Sequence, residues 1–225
     1  MNNPGKKAFG GLILLVVVLS LLLFSSAGTL NYWQAWAYTL IFLMSAGIIT
    51  LYLMKKDTAL LERRLTAGPT GEKEKTQKII QSIAQLAFIA FYLLSGFDHR
   101  YAWSNVPVPV VIAGDILVAC GFYIVFMIFK ENSFTSAIIE VDDNQRVIST
   151  GPYGIVRHPM YSGALIMMIG TPIALGSWWA LMAFILIAAI IVWRLLDEEK
   201  FLSVSLPGYT EYCSKVSSRL IPGIF

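Results

Sequence analysis

The 225 residues are 56% hydrophobic and only 14% charged, with a formal net charge of +3 and a mean hydropathy of +0.66. A soluble domain carries about 25% charged residues, so the composition excludes an ordinary soluble enzyme and points to a chain that crosses a membrane several times. Cys120 falls in an apolar run and Cys213 in a polar tail, which gives no disulfide framework, and no nucleic-acid partner is expected.

A short basic start with Lys6 and Lys7 leads into an apolar run, read as a first helix from Gly10 to Ala27, near the length needed to span. Its charged start, apolar middle and small residues at Ser25–Gly28 also fit a cleaved signal peptide. Tyr32, Trp33 and Trp36 suit an interfacial aromatic belt, and a second helix is expected from about Ala35 to Met54. The stretch from Lys55 to Lys78 is hydrophilic and basic, with Lys55, Lys56, Arg63, Arg64, Lys73, Lys75 and Lys78. It reads as a solvated loop, weakly amphipathic through Leu60, Leu61 and Leu65, with a turn at Gly68-Pro-Thr-Gly71. Its functional alternative is contact with anionic headgroups.

A third helix is expected from Ile79 to Gly96, then a loop from Phe97 to Asn105 holding Asp98, His99 and Arg100. A fourth runs from about Val106 to Phe129, with Pro107 and Pro109 in its first turn. Asp115 within it is either functional, as intramembrane carboxylates are by default, or structural and paired with Arg100. A second polar segment, Lys130 to Arg157, precedes a fifth helix from Pro159 to Ala174. A tight turn at Leu175–Trp179 follows, then a sixth helix from about Trp178 to Leu196 that exits as Arg194-Leu-Leu-Asp-Glu-Glu-Lys200.

The expected fold is therefore an all-α, polytopic membrane bundle of about six transmembrane helices. Residues 1–105 are expected to form the N-terminal helices and a basic loop, and residues 106–225 the last three transmembrane helices and the C-terminal tail. Six crossings place the N-terminus, the 55–78 and 130–158 segments and the tail on one side. Every Lys and Arg except Arg100 falls on that side, which the positive-inside rule makes cytoplasmic.

That topology gathers chemistry at one rim. Ser149-Thr-Gly-Pro-Tyr-Gly-Ile-Val-Arg-His-Pro-Met-Tyr161 is the densest polar and aromatic cluster in the chain. Pro152 and Pro159 stiffen it, and Gly151 and Gly154 allow close backbone approach. Helices five and six form a hairpin, so Arg157, His158 and Tyr161 meet Arg194, Glu198 and Glu199. Arg194 and Glu198, spaced i, i+4, share a helix face. His158 without a second His or Cys is a poor metal site, and none is expected. The Gly-x-Ser-x-Gly elbow, the dinucleotide fingerprint and the phosphate loop are absent from the sequence. The residues alone give a polar pocket at the membrane rim, suited to a charged cofactor meeting a membrane-embedded substrate.

Gly151-Pro-Tyr-x-x-Val-Arg-His-Pro-Met-Tyr-Ser-Gly163, Arg194-x-x-x-Glu-Glu199, Pro207-Gly-Tyr-x-x-Tyr212 and Arg219-x-x-Pro222 occur in order. Together they resemble the isoprenylcysteine carboxyl methyltransferase family, with related forms in phospholipid methyltransferases and sterol C14-reductases. The resemblance runs from roughly Gly114 to Phe225. It implies a methyltransferase that uses S-adenosylmethionine, acts on a membrane lipid or lipophilic small molecule, and sits as a multi-pass protein in a prokaryotic inner or cell membrane, termini and site cytoplasmic.

Carried over by position, Gln145, Arg146, Val147, Ile148, Tyr153, His158, Pro159, Met160, Tyr161 and Glu198 hold the cofactor, and Arg194, Arg157 and Glu199 are the catalytic candidates. Glu198 or Glu199 would pair with the cationic groups, and His158 or Arg157 with the cofactor carboxylate. Tyr153 and Tyr161 offer aromatic faces, and Arg194 a forked contact for the acceptor. A phospholipid N-methyltransferase, an NADPH-dependent reductase and a non-enzymatic membrane protein are the alternatives.

Overall fold

The computed structural model describes residues 4–65, 68–72, 74–141 and 145–225. Among them the structure is all helical: α1 Pro4–Ala27, α2 Trp33–Lys56, α3 Thr58–Leu65, α4 Lys75–Tyr101, α5 Val108–Glu131, α6 Pro159–Ala174, α7 Trp178–Ser205 and α8 Tyr209–Lys215. Helices α1, α2, α4, α5 and α7 are long and apolar enough to cross a membrane, and α6 is a shorter apolar helix of 16 residues. Going round, α1 packs on α2, α2 on α5, α5 on α6, α6 on α7, α7 on α4 and α4 back on α1. Six apolar helices thus close into a ring. Leu14, Ile48, Leu86, Ile116 and Met182 point outward, each more than half exposed, as lipid-facing residues of such a bundle do.

Inside the ring several polar groups pair with one another. The Tyr38 and Tyr92 hydroxyls meet at 2.5 Å, satisfying two buried phenols. At the end away from the candidate site, Asp98 is 1% exposed. It accepts from Ser104 N and Oγ, both at 2.7 Å, and from Ser177 Oγ. The expected loop at 97–105 is therefore mostly helix: α4 runs on to Tyr101 and is closed by Ala102 in the left-handed region, φ 49°. Asp115 is buried and its Oδ1 has no partner. Among the described residues no ion pair joins it to Arg100, whose guanidinium lies against Gly28 instead.

Among the described helices, α5 and α6 make the most extensive contact. A Cβ at Gly114 would stand 2.3 Å from Ala174 N, one at Gly121 2.7 Å from Met167 N, and one at Gly170 2.8 Å from Gly114 O. Glycines seven apart on both helices (114 and 121, 163 and 170) let the backbones touch, the small-residue packing of membrane helices. Gly114→Ala is accordingly expected to force the pair apart, at about 1–3 kcal/mol. It should lower the melting temperature in detergent. Gly10→Ala, which meets nothing within 4 Å, should leave it unchanged.

The 55–78 segment departs most from expectation. Rather than a solvated loop, it folds into the rim. Asp57 Oδ1 accepts from Leu60 N at 2.9 Å, which starts α3. Leu60 and Leu61 bury against Ala8, Leu53 and Phe129. The turn at Gly68–Gly71 forms, with Gly71 N donating to Gly68 O at 3.1 Å. Lys73 lies outside the described residues.

Candidate functional site

The 149–161 cluster is built as a hinge between α5 and α6. Gly151, at φ 57°, opens a 3₁₀ turn over Gly151–Gly154, a conformation only glycine takes without strain. A Cβ there would stand 3.0 Å from the Glu131 carboxyl carbon, and Thr150 Oγ1 donates to that carboxylate. Pro159 takes the first position of α6, where its missing N–H costs nothing. The tail then clamps this entry. Arg157 N donates to Ser218 O at 2.9 Å and His158 N to Arg219 O at 3.0 Å. Ser162 Oγ donates to Leu220 O at 2.7 Å.

Between this hinge, the 132–148 segment and the end of α7 lies a cavity of about 410 Å³, within the range of small-molecule sites. Gln145, Arg146, Val147, Ile148, Tyr153, Arg157, His158, Pro159, Met160, Tyr161, Arg194 and Glu198 all line it. Glu199 does not appear in that wall. The sixth expected helix ends later than read: α7 continues to Ser205, so the expected exit residues stay helical, and Arg194 and Glu198 stand one turn apart as their spacing implies.

The two neighbouring carboxylates have opposite surroundings. Glu199 is neutralised: Oε2 accepts from Arg219 Nε at 2.8 Å, and Oε1 lies 3.2 Å from His158 Nε2. Arg157 Nε is 2.9 Å from Oε1, an ion pair by distance whose angle is too poor for a hydrogen bond. Glu198, in contrast, receives one hydrogen bond among the described residues, from Tyr161 OH at 2.6 Å, and no ion pair. It lines the cavity without an ion-pair partner among the described residues, and the Arg194 charge one turn away reaches it only through space and through Tyr161.

Arg194 is less open than the sequence implied. Its Nε donates to Tyr161 OH at 3.0 Å, NH1 to Gln77 Oε1 at 2.7 Å and NH2 to Glu72 Oε1 at 2.7 Å. Its fork is thus turned to Glu72, just before α4, and to Gln77 in the first turn of α4. Sequence reasoning missed Glu72 and Gln77, and also Arg64, which lines the cavity, donates to Ser136 O at 2.6 Å and stacks over Phe129. One acidic residue in a run of lysines gives no local signal of an inward turn.

Tyr209 and Tyr212 also line the cavity. Tyr212 OH donates to Tyr153 O at 2.7 Å, and Tyr209 OH lies 3.4 Å from His158 Nε2. The Pro-Gly-Tyr-x-x-Tyr motif held that signal, though it was given no role. Burial pushes the Tyr153 phenol up to about 12, so it stays protonated at neutral pH. Apolar lining comes from Val125, Phe134, Ala164 and Met167.

Residues 109–206 match the family model described as phospholipid methyltransferase. Protein-S-isoprenylcysteine O-methyltransferase B of Arabidopsis thaliana is 30% identical over 147 residues, covering 62% of this chain and 68% of the relative. A probable protein-S-isoprenylcysteine O-methyltransferase of Oryza sativa subsp. indica is 32% identical over 154 residues, covering 65% of this chain and 76% of the relative.

Proposed function

Since the chain belongs to the isoprenylcysteine O-methyltransferase family, we propose that this multi-pass membrane methyltransferase takes its methyl group from S-adenosylmethionine. The acceptor is a lipophilic molecule held in the membrane, a carboxylate of the isoprenylcysteine type or a related lipid acid. The observation that carries this reading is the contrast between an ion-paired Glu199 and a Glu198 that lines the cavity with no ion pair among the described residues. A lone carboxylate facing a cavity selects a cation, and the cofactor brings two, an ammonium and a sulfonium.

The residues present fit that group. Glu198 meets its ammonium, and Tyr161 holds the carboxylate in place from the other oxygen. Arg157, already anchored by Glu199, presents positive charge for its carboxylate, and the His158 ring a nitrogen to hydrogen-bond it. The 145–148 backbone and the Tyr153 ring flank the remainder. When bound, S-adenosylmethionine supplies an electrophilic methyl on sulfur. An acceptor carboxylate is already ionised and needs no base. The work of the protein is then to align the acceptor and exclude water. Val125, Phe134, Ala164 and Met167 give the acceptor's hydrocarbon an apolar wall. Arg194 acts from behind Tyr161 instead of as an open fork. The excess of Lys and Arg in the segments on the site side supports a cytoplasmic rim by the positive-inside rule.

Calorimetric titration of the detergent-purified protein tests the cofactor. S-adenosylhomocysteine should bind and NADPH, whose phosphates Glu198 repels, should not. Heat from NADPH alone would contradict the reading. The phospholipid methyltransferase match over 109–206 supports a second reading, an amine acceptor, which must lose a proton to a wall carboxylate such as Glu140.

A further inference from the structure

We propose that Glu72 is a positioning residue for the cofactor site, one that keeps Arg194 from neutralising Glu198; this rests on Glu198 holding the cofactor's ammonium. Glu72 comes from the segment between α3 and α4, outside the stretch that matches the family model. Yet it is 3% exposed and fully engaged. Oε1 takes Arg194 NH2 at 2.7 Å and Gln81 Nε2 at 3.3 Å, and Oε2 takes the Ile139 amide at 3.2 Å. A carboxylate is this buried only when its charge is paired.

The hydrogen-bond chain that follows has a fixed direction. Arg194 Nε–H can only donate, so the Tyr161 oxygen accepts it at 3.0 Å. The one phenolic proton of Tyr161 therefore goes to Glu198 Oε2 at 2.6 Å. Glu72, Arg194, Tyr161 and Glu198 form one relay from the loop to the cavity.

Charge explains why Glu72 is needed. Arg194 is always a cation, and the carboxylates that act on it are Glu72 and, one turn on, Glu198. Gln77 Nε2 donates to Asp197 while its Oε1 holds Arg194 NH1. With Glu72 in place, Arg194 has its countercharge on the side away from the cavity. Without it, the cation turns to Glu198 and competes with the ligand's ammonium.

Binding of S-adenosylhomocysteine and of 5′-methylthioadenosine, which lacks the amino-acid end, separates this from a general structural role. Glu72→Gln should weaken the first about tenfold, the worth of one hydrogen bond to a charged group, and leave the second nearly unchanged. Glu72→Asp, which keeps the charge, should recover most of the loss. So should Glu72→Gln combined with Arg194→Gln, because the competing cation is gone. If Glu72→Gln does not fold, the double variant leaves no unpaired buried charge, and a wild-type preference for S-adenosylhomocysteine in it supports the proposal.

Equal weakening of both ligands by Glu72→Gln, no weakening of either, or loss of the preference in the double variant would overturn it. Wild-type protein that binds no S-adenosylhomocysteine, or a Glu198→Gln variant that binds it normally, overturns the cofactor reading itself and this proposal with it.

Discussion

Glu198→Gln is expected to reduce S-adenosylhomocysteine affinity roughly a hundredfold or more, about 3 kcal/mol, the usual loss when one partner of a desolvated charge pair is removed. The change is isosteric. The amide oxygen can still accept from Tyr161 OH, now 2.6 Å from Glu198 Oε2, so the fold should survive with its melting temperature little altered. What disappears is the negative charge at the wall of the 410 Å³ cavity. Calorimetry on the purified variant reads the affinity, and thermal unfolding reads the fold. Normal binding by a folded Glu198→Gln protein would place the cofactor's cationic end elsewhere.

The neighbouring substitution should do the reverse. Glu199→Gln removes the one carboxylate shared by Arg157, His158 and Arg219. Those groups come from the hinge before α6 and from the tail, so Glu199 ties α7 to both. Removing one member of a buried ionic cluster leaves like charges unpaired, at on the order of 3–5 kcal/mol; the pair with Arg219, which is 34% exposed, adds least. The expected result is a large drop in melting temperature, with the tail released from α6. Affinity measured well below that temperature should fall far less than in Glu198→Gln. Loss of affinity with unchanged stability would instead make Glu199 a direct ligand.

The difference between these two carboxylates was not legible in the sequence. Composition and hydropathy place six apolar helices, because a membrane-spanning element must be apolar over most of its length. The start of α6 at Pro159 is legible too, since proline at the first helical position has a local cause. The ordered motifs gather Tyr153, His158, Tyr161, Arg194 and Glu198, and the structure sets all five around one cavity. Adjacent residues on a helix, however, point about 100° apart, and only the packing of the tail determines which one meets Arg157, His158 and Arg219. Nor does any local pattern say that Glu72 turns inward, because its burial depends on Arg194, more than a hundred residues away. The end of α7 was misread for a related reason. Asp197-Glu-Glu-Lys200 looks like the edge of a membrane span, yet its residues are helix-compatible and their charges are partly paired, so the helix runs on to Ser205.

The α5–α6 contact shows the converse case, a signal present and overlooked. Gly114, Gly121, Gly163 and Gly170 are spaced by seven on each helix, and every one would clash or crowd its neighbour if given a Cβ. That spacing, read against small-residue packing in membranes, identifies the pair before any coordinates.

The most direct test is transfer of a radiolabelled methyl group from S-adenosylmethionine to a lipophilic acceptor in proteoliposomes, scored by what mild alkali releases. A methyl ester gives volatile labelled methanol, whereas an N-methyl group stays with the lipid. The account predicts alkali-labile label on a prenylated cysteine analogue with a free carboxylate, lost in Glu198→Gln. Alkali-stable label on an amine headgroup would shift the acceptor to phospholipid, and no transfer to any acid or amine by a protein that binds S-adenosylhomocysteine would contradict the methyltransferase assignment at its centre.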